Sequence, residues 1–392
     1  MIPSVLPTYN RAPLHFTRGE GSWLIARDGT RYLDMTSGIA VNALGHAHPD
    51  LVRVLTEQAG RIWHLSNLYD IPQQQALADA LVDKTFADTA FFTNSGTEAC
   101  ELAVKMARKY WHEKEQPDRV KIITFSGSFH GRSTAAIAAS GSEKMTKGFG
   151  PLLPGFVHLE FGDHDALRAA MQDPQVGAVL LEPVQGEGGI RVVPDQCLKG
   201  LRDLCDKTGT LLILDEVQCG MGRTGRLFAH EWAGITPDIM MVAKGIGGGF
   251  PLGAVLATEA AAAGMVAGTH GSTYGGNPLG CAVGLEVMRH VADPDFLDAV
   301  NRKAGLLRQR LEGLVATHPD LFEGVRGLGL MLGLKCKVPN TDLVKAGHAR
   351  HVLTVGAADN VVRLLPALNI PDSDIAEAVA RLDGAAAQLK AG

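Results

Sequence analysis

Lys244 is the residue whose position most strongly suggests chemistry. It follows the apolar run 239–243, which is bounded by a Pro-Asp pair and by glycines and predicts a buried strand. A buried ammonium group is costly unless it is paired or neutralised, and a desolvated lysine becomes the nucleophilic amine that forms Schiff bases. Gly245 and residues 247–249 leave space for another molecule to approach the backbone. A surface lysine in a glycine-rich turn is the alternative that this stretch alone leaves open.

Three other charged side chains also lie at or just beyond the ends of predicted strands. Glu182 and Asp215 each follow a short apolar run directly, and Arg132 lies in the loop after a third run, 120–125. Taken singly, a solvated turn explains Arg132 and a helix cap explains Asp215. Together with Lys244, however, they mark four strand ends in an alternating α/β pattern. Such strand ends form the cleft at the carboxyl edge of a mainly parallel sheet, so we predict one functional site there.

The sequence Asn-Ser-Gly-Thr-Glu-Ala at residues 94–99 predicts the start of a helix. Ser95 and Glu98 fit the capping box, which needs no ligand. The free N–H groups of Gly96 and Thr97 would also suit an anion such as a phosphate, because a helix N-terminus attracts negative charge. The motif therefore allows a structural cap, an anion site, or both.

Two further motifs do not indicate the sites that they resemble. Residues 220–225 match the G-x-G-x-x-G string of dinucleotide-binding proteins, but they neither follow a strand at once nor precede a helical pattern, so we expect no nicotinamide dinucleotide. His46 and His48 are possible metal ligands, yet no further ligand cluster follows them, and Pro49 favours a turn and a helix start. We therefore predict no metal.

Length and composition indicate a globular protein with two lobes. A chain of 392 residues exceeds the size at which one core usually stops growing. With 46% hydrophobic residues, 20% charged residues and a formal charge of −5, nucleic acid and anionic membranes are not expected partners. The six scattered cysteines suit reduced thiols. Because neither a secretory leader nor an apolar run of about 20 residues occurs, we expect a cytoplasmic protein.

Helices and short strands alternate from residue 72 to residue 243, which predicts an α/β fold. Before this part, an Asp-Gly between two strand-like pieces predicts a hairpin in residues 23–34. After it, a second lobe of α+β type is expected. Its predicted helices are 279–291, 296–316 and 372–389, and its predicted strands are 328–334 and 361–365.

Six motifs, read together, carry a family resemblance. They are Asn-Ser-Gly-Thr-Glu-Ala at 94–99, Ser-Phe-His-Gly-Arg at 128–132, Glu-Pro-Val-Gln-Gly-Glu-Gly-Gly at 182–189, Leu-Asp-Glu-Val-Gln at 214–218, Ala-Lys-Gly at 243–245 and His-Gly-Ser-Thr-Tyr-Gly-Gly-Asn-Pro at 270–278. In this order and spacing, the chain resembles the subgroup III pyridoxal-phosphate aminotransferases from residue 19 to residue 389.

The resemblance implies the architecture called pyridoxal-phosphate fold-type I. This is an α/β fold with a mixed, mainly parallel sheet in a large lobe and a smaller α+β lobe built from both termini. We expect residues 1–50 to join the small lobe, residues 51–275 to form the large cofactor-binding domain and residues 276–392 to form the C-terminal small domain. The resemblance also implies a homodimer with active sites at its interface.

The resemblance further implies pyridoxal 5′-phosphate as the cofactor, with Lys244 and Asp215 as catalytic residues. Lys244 would carry the cofactor as a Schiff base and move a proton, and Asp215 would keep the pyridine nitrogen protonated. Gln218 would bind the ring oxygen, and Val217 and Phe129 would cover the two ring faces. The implied cofactor-binding residues are Ser95, Gly96, Thr97, Phe129, His130, Glu182, Asp215, Val217, Gln218, Lys244 and Thr273 of the partner subunit.

The implied substrate-binding residues are Arg132, Glu187, Arg363, Ser272 and Tyr9. Arg132 would bind a substrate carboxylate through its bidentate fork. Glu187 and Arg363 match a switchable pair, in which Glu187 masks Arg363 while one substrate is bound and releases it for glutamate or 2-oxoglutarate. A permanent salt bridge between the lobes is the alternative for this pair.

The activity implied is transfer of the δ-amino group of N-acetylornithine to 2-oxoglutarate, giving N-acetylglutamate 5-semialdehyde and glutamate in arginine biosynthesis. Succinylornithine, ornithine, 4-aminobutyrate and a succinylated diaminopimelate are alternative amino donors. A glutamate-1-semialdehyde aminomutase is an alternative that needs no external acceptor. A non-catalytic binding protein is a third class, and the presence of both Lys244 and Asp215 argues against it.

Overall fold

The structure, a computed structural model, describes residues 2–391. Its strands are β1 (Phe16–Glu20), β2 (Trp23–Ala26), β3 (Arg31–Asp34), β4 (Thr89–Thr93), β5 (Lys121–Phe125), β6 (Phe156–Leu159), β7 (Val176–Leu181), β8 (Val184–Gln185), β9 (Arg191–Val192), β10 (Leu211–Asp215), β11 (Ile239–Val242), β12 (Gly253–Ala257), β13 (Phe322–Leu328), β14 (Met331–Cys336), β15 (Val352–Leu353), β16 (Val355–Ala357) and β17 (Val361–Leu364). Its α-helices are α1 (Ser37–Ala40), α2 (Pro49–Ala59), α3 (Pro72–Lys84), α4 (Gly96–Glu113), α5 (Thr134–Ser140), α6 (Glu143–Thr146), α7 (His164–Ala170), α8 (Asp195–Thr208), α9 (Glu259–Ala262), α10 (Pro278–Val291), α11 (Pro294–Thr317), α12 (Asn340–Ala349) and α13 (Asp372–Ala391).

A mixed seven-stranded sheet, in the order β4-β12-β11-β10-β7-β5-β6, forms the centre of the fold. Strand β12 is antiparallel to both of its neighbours, and the other pairs are parallel. Strands β7, β10 and β11 are buried along their whole length, as expected of parallel strands covered on both faces. These three strands are neighbours in the sheet. Glu182, Asp215 and Lys244 therefore lie at or just beyond the carboxyl ends of adjacent strands, at one edge of the sheet.

Helix α4 packs on this sheet through the face that its sequence period predicts. Ala99, Leu102, Ala103 and Met106 are all buried, in one apolar cluster with residues of the central strands. Their spacing of three and four residues places them on one side of the helix. Burial of this side holds the helix against β11 and β12, so that the helix start lies at a fixed position on the sheet.

Both ends of the chain contribute to one smaller sheet. The hairpin predicted in residues 23–34 is confirmed, because β2 and β3 are antiparallel and Gly29 turns with φ +87°. Strand β3 also pairs in parallel with β15. The strand predicted at 328–334 corresponds to β14, but it begins three residues later, because β13 ends at Leu328 and the chain turns at Gly329 with φ +59°. The turn contains the buried Leu330 and no polar residue, so the apolar pattern runs through it.

The remaining predictions about elements agree with the structure. The helices predicted at 279–291, 296–316 and 372–389 are confirmed as α10, α11 and α13. The glycines at 220–225 lie in turns that lead to the short 3-10 helix Ala229–Trp232, and no α-helix opens there. Across residues 2–391, no helix combines the length and the apolar character needed to span a membrane.

Candidate active site

Lys244 lies just beyond β11, at the carboxyl edge of the central sheet. It begins the 3-10 helix Lys244–Gly247 with φ +50°, a left-handed conformation that is uncommon for a residue with a side chain. Backbone strain of this kind occurs mainly at functional sites. Burial lowers the pKa of the Lys244 amine from its usual value, and the Asp215 carboxylate opposes that shift. The surroundings therefore bias the amine towards its nucleophilic, neutral form.

Asp215, the last residue of β10, is buried next to His130. Its Oδ2 lies 2.7 Å from His130 Nδ1, and its Oδ1 accepts the Val217 N–H over 3.0 Å. His130 Nδ1 and Asp215 Oδ2 therefore form a buried hydrogen bond. The other ring nitrogen, Nε2, is buried and has no partner in the described part of the chain. The sequence showed both residues but not this contact, which the fold creates.

Glu182 is a second buried carboxyl beside Asp215. Burial raises the pKa of Glu182 well above its usual value, and the neighbouring Asp215 charge raises it further. One ligand atom each of His130, Glu182 and Asp215 lies within 4.8 Å of the others. All three residues line the same cavity as Lys244.

The start of α4 carries half of the predicted capping box. Ser95 Oγ accepts the Glu98 N–H over 3.2 Å, as predicted. The other half differs, because Glu98 Oε2 accepts the Asn94 N–H over 2.5 Å and not the Ser95 N–H. The N–H groups of Gly96 and Thr97 belong to the first turn and have no partner within the helix. They are available to an anion at the helix N-terminus.

Two glycines keep the helix start free of side chains. A Cβ atom at Gly96 would lie 2.8 Å from Val217 Cγ1, and a Cβ at Gly131 would lie 2.5 Å from Thr97 Oγ1. Gly131 also has φ +130°, which a residue with a side chain rarely adopts. In addition, Thr97 Oγ1 accepts the Arg132 N–H over 3.2 Å, so the loop and the helix start hold each other. The result is a cradle made mainly of backbone.

These groups surround one cavity of about 310 Å³, a size typical of small-ligand sites. The predicted site residues that line it are Ser95, Gly96, Thr97, Phe129, His130, Glu182, Asp215, Val217, Gln218 and Lys244. Eight other lining residues were not among the predicted site residues, and they are Val41, Asn94, Gly131, Ala243, Gly249, Phe250, Pro251 and Leu252. The glycines before Phe250 were a signal for that loop, whereas Val41 reaches the cavity only through the fold.

The predicted pair of Glu187 and Arg363 forms a direct salt bridge. Arg363 Nη1 donates to Glu187 Oε1 over 2.6 Å and to Gln218 Oε1 over 3.4 Å, and Nη2 donates to Gly356 O over 3.2 Å. The arginine side chain is 1% exposed, whereas the glutamate side chain is 37% exposed. Both charges act on the pKa of Lys244, which places the pair close to the amine.

Thr273 and Ser272 lie outside this cavity. They border a separate and larger cavity of about 1080 Å³ on the same chain. Ser272 approaches the helix start most closely, with its Oγ 3.5 Å from Asn94 Nδ2, and Thr273 is exposed. Within one chain, therefore, Thr273 does not join Gly96 and Thr97.

Arg132 and Tyr9 do not line the cavity. Arg132 is exposed, and its guanidinium carbon lies 5.5 Å from the centre of the Phe129 ring. The exposed guanidinium is therefore in contact with a residue that lines the cavity. Tyr9 is 74% exposed and contacts Arg11, with the guanidinium carbon 5.6 Å from the ring centre. A substrate contact for Tyr9 stays a prediction.

Residues 6–385 match the family model of the class III aminotransferases. The chain belongs to the class III aminotransferases, which confirms the predicted family and the predicted fold class, pyridoxal-phosphate fold-type I. An acetylornithine aminotransferase of Rhodobacter capsulatus is 71% identical over 390 residues, which cover 100% of this chain and 99% of the relative. An acetylornithine aminotransferase of Mesorhizobium japonicum is 57% identical, over 97% of this chain and 96% of the relative.

Solved structures agree with this assignment. The ornithine aminotransferase of Toxoplasma gondii ME49 has a TM-score of 0.95 at 30% identity, over 99% of this chain and 93% of that chain. The N-acetylornithine aminotransferase of Stenotrophomonas maltophilia K279a has a TM-score of 0.86 at 38% identity, over 98% of both chains. The chain is therefore a transaminase that uses pyridoxal phosphate.

The cavity residues fit this cofactor chemically. A carboxylate, Asp215, is available for a protonated ring nitrogen, and an amine of lowered pKa, Lys244, is available for an aldehyde. The backbone cradle at Gly96 and Thr97 suits a phosphate. His130 lines the cavity, and its Nε2 has no hydrogen-bond partner among residues 2–391, so this residue has a nitrogen left to pair with a ligand.

Proposed function

We propose that this aminotransferase moves the δ-amino group of N-acetylornithine to 2-oxoglutarate, giving N-acetylglutamate 5-semialdehyde and glutamate in arginine biosynthesis. The observation that carries this proposal is the pair of a buried Arg363 and a partly exposed Glu187 near Lys244. The names of the relatives from R. capsulatus and S. maltophilia support N-acetylornithine as the amino donor.

The Glu187–Arg363 pair suits an enzyme with two unlike substrates. N-acetylornithine brings its amine on a carbon without a carboxylate, whereas glutamate carries a carboxylate on the reacting carbon itself. Without a partner, Arg363 would be an unpaired buried charge while N-acetylornithine is bound, at a cost of about 3–5 kcal/mol. We propose that Glu187 stays on Arg363 in that half-reaction and withdraws when glutamate or 2-oxoglutarate binds. Arg132 would bind the distal carboxylate of either substrate.

Lys244 and Asp215 would perform the chemistry. When bound, pyridoxal phosphate supplies an electron sink for the carbanion formed at the substrate carbon. Asp215 would hold the proton of the ring nitrogen in place, and His130 fixes the orientation of that carboxylate through the 2.7 Å contact. The Lys244 amine would bind the cofactor covalently and, once displaced, move a proton to and from the substrate carbon. Its lowered pKa suits this task, because only the neutral amine accepts a proton.

The other cavity residues would bind the cofactor without reacting. Ser95, Gly96 and Thr97 would hold the phosphate at the start of α4. Gln218 would donate to the ring oxygen, and its neighbour Val217 would pack on one face of the ring. Phe129 would pack on the opposite face of the ring. His130 and Glu182 are the remaining proposed cofactor-binding residues.

We further propose that two chains form a homodimer and that Thr273 of the partner subunit completes the phosphate site. In support, Thr273 is exposed and borders a cavity of about 1080 Å³ and not the cavity of Lys244 in its own chain. Substrate contacts by Ser272 and Tyr9 belong to the same proposal. We also propose three parts of the chain, residues 1–50, 51–275 and 276–392, and a location in the cytoplasm.

Steady-state rates with a panel of amino donors test the proposed substrate. N-acetylornithine, succinylornithine, ornithine, 4-aminobutyrate and succinyldiaminopimelate would each be paired with 2-oxoglutarate. N-acetylornithine should give the highest kcat/KM, and the rate should fall to zero without 2-oxoglutarate. A higher kcat/KM for another donor would reassign the substrate. Turnover of glutamate 1-semialdehyde without any acceptor would instead indicate an aminomutase.

A further inference from the structure

Two histidines and a carboxylate meet where the start of α2 lies against the end of α10. His48 is the N-cap residue of α2, Asp50 lies in its first turn, and His290 lies in the last turn of α10. One ligand atom of each side chain lies within 4.8 Å of the others. The sequence analysis rejected a metal site at His48 because no third ligand was near it in the chain. The packing of α10 on α2 supplies that ligand from a position 242 residues further on.

The distances within this His48–Asp50–His290 cluster are those of a metal site. His290 Nε2 lies 3.2 Å from Asp50 Oδ2, and the two imidazole centres are 5.0 Å apart. Zinc bonds of about 2.0–2.2 Å in tetrahedral geometry place ligand atoms roughly 3.3–3.5 Å apart. The pair of His290 and Asp50 therefore already has the spacing of two zinc ligands, and a ligand atom of His48 lies within 4.8 Å of both.

The His48 ring also has a nitrogen that is available to bind a metal ion. Its Nδ1 is shielded from solvent and has no hydrogen-bond partner among residues 2–391. Such atoms are rare, because a buried polar group is normally paired with protein or water. By contrast, His46 Nε2 lies 2.8 Å from Asp34 Oδ2. Of these two histidines, therefore, His48 is the one available to bind a metal ion.

The charges around the cluster permit a divalent cation. Glu286, one turn before His290 on α10, is 8% exposed, and its Oε1 lies 3.7 Å from His290 Nε2. Two arginines pair with these acids, but Arg53 is 51% exposed and Arg289 is 65% exposed. Because both guanidinium groups are largely exposed, they can turn into solvent when a cation replaces them beside the buried Glu286.

We propose that His48, Asp50 and His290 form a binding site for one divalent transition-metal ion, with Zn²⁺ as the best match to the ligand types. Glu286 or water would complete the coordination. The ion would be structural, because it would join α2 to α10 and would not touch the cavity of Lys244. Helix α10 directly follows the loop that contains Thr273, so the ion would also stiffen that part of the proposed dimer.

Titration of the protein with Co²⁺ and Zn²⁺ tests this site. The protein would be the cofactor-loaded enzyme without an affinity tag, freed of unbound pyridoxal phosphate, which chelates metals. One equivalent of Co²⁺ per chain should bind, with the visible absorption of a four- or five-coordinate ion, and Zn²⁺ should displace it. Zn²⁺ should also raise the Tm, because it binds the folded state.

Variants separate this site from other metal-binding groups. His48→Asn keeps a residue suited to the N-cap, and His290→Gln keeps a polar side chain in the last helical turn. Each should weaken metal binding at least about tenfold, since even the loss of a group that only orients a ligand costs that much. The control is His112→Gln, which changes an exposed histidine next to Glu113 and should leave the affinity unchanged. Either unchanged affinity in the two site variants or no saturable binding by the parent protein would overturn the proposal.

Discussion

Arg363 Nη1 donates to Glu187 Oε1 over 2.6 Å, and the two partners differ sharply in their exposure to solvent. The arginine side chain also donates to Gly356 O and is 1% exposed, whereas the glutamate side chain is 37% exposed. When the salt bridge opens, Glu187 is therefore the side chain that moves. The structure shows the masked arrangement, which is the one that we propose for the N-acetylornithine half-reaction.

The first prediction separates the two half-reactions. Glu187→Gln removes the charge that neutralises Arg363, so it should slow the half-reaction of N-acetylornithine and favour that of glutamate. Arg363→Lys keeps the charge but loses the bidentate fork, so it should damage the glutamate half-reaction far more. Single-turnover absorbance traces, one for each half-reaction, measure both effects. Equal losses in both halves for both variants would indicate a permanent salt bridge.

The second prediction concerns the backbone cradle. Gly131→Ala would place a Cβ 2.5 Å from Thr97 Oγ1 and should weaken pyridoxal-phosphate binding by roughly tenfold or more, equivalent to about 1.4 kcal/mol. Titration of the cofactor-free protein, followed by absorbance, gives the Kd. Gly148→Ala is the matched control, because Gly148 also has a positive φ, +83°, but has nothing within 4 Å of its added Cβ. A cofactor Kd that is the same in both variants would contradict the proposed cradle.

Sequence patterns predicted the parts of the fold that depend on local chemistry. The capping serine Ser95, the buried face of α4 and the charged ends of β10 and β11 all follow from residue type and spacing. The start of β14 was predicted three residues too early, because the turn before it contains the buried Leu330 and no polar residue. The reciprocal half of the capping box was misplaced by one residue, since Glu98 bonds to Asn94.

Sequence patterns did not predict the contacts between segments that are distant in the chain. The hydrogen bond between His130 and Asp215 joins the loop after β5 to the end of β10, and no local spacing encodes it. The position of Val41 in the cavity likewise depends on how the N-terminal segment folds back. Similarly, the approach of His290 to His48 follows from the packing of two helices. Such contacts arise from tertiary packing, which local residue patterns do not specify.

The third prediction concerns the charge of Lys244 in the cofactor-free protein. Because burial lowers its pKa, the reaction of its amine with acetic anhydride should rise with pH to a midpoint below 10.5. The Asp215 carboxylate raises that pKa, so Asp215→Asn should move the midpoint lower still. Mass spectrometry of the Lys244 peptide measures the reaction. The exposed Lys199 in the same sample is the reference that corrects for the amount of active reagent. A midpoint at or above 10.5, or an upward shift in the variant, would contradict this assignment.

The fourth prediction concerns the partner subunit. If Thr273 of the partner subunit binds the phosphate, dilution of the enzyme to monomers should release pyridoxal phosphate. Analytical ultracentrifugation with detection at the cofactor absorbance would follow both mass and occupancy. Thr273→Val, which keeps the shape but loses the hydroxyl, should weaken cofactor binding without dissociating the dimer. A monomer that retains full cofactor occupancy would refute the shared site.

Nitrogen transfer itself tests the central claim most directly. The enzyme would be given N-acetylornithine labelled with ¹⁵N at the δ position together with 2-oxoglutarate, and the products would be analysed by mass spectrometry. We predict that the label appears in glutamate, one nitrogen for each N-acetylglutamate 5-semialdehyde formed, and that the Lys244→Ala variant transfers none. Unlabelled glutamate, release of the label as ammonia, or near-native transfer by Lys244→Ala would contradict the account.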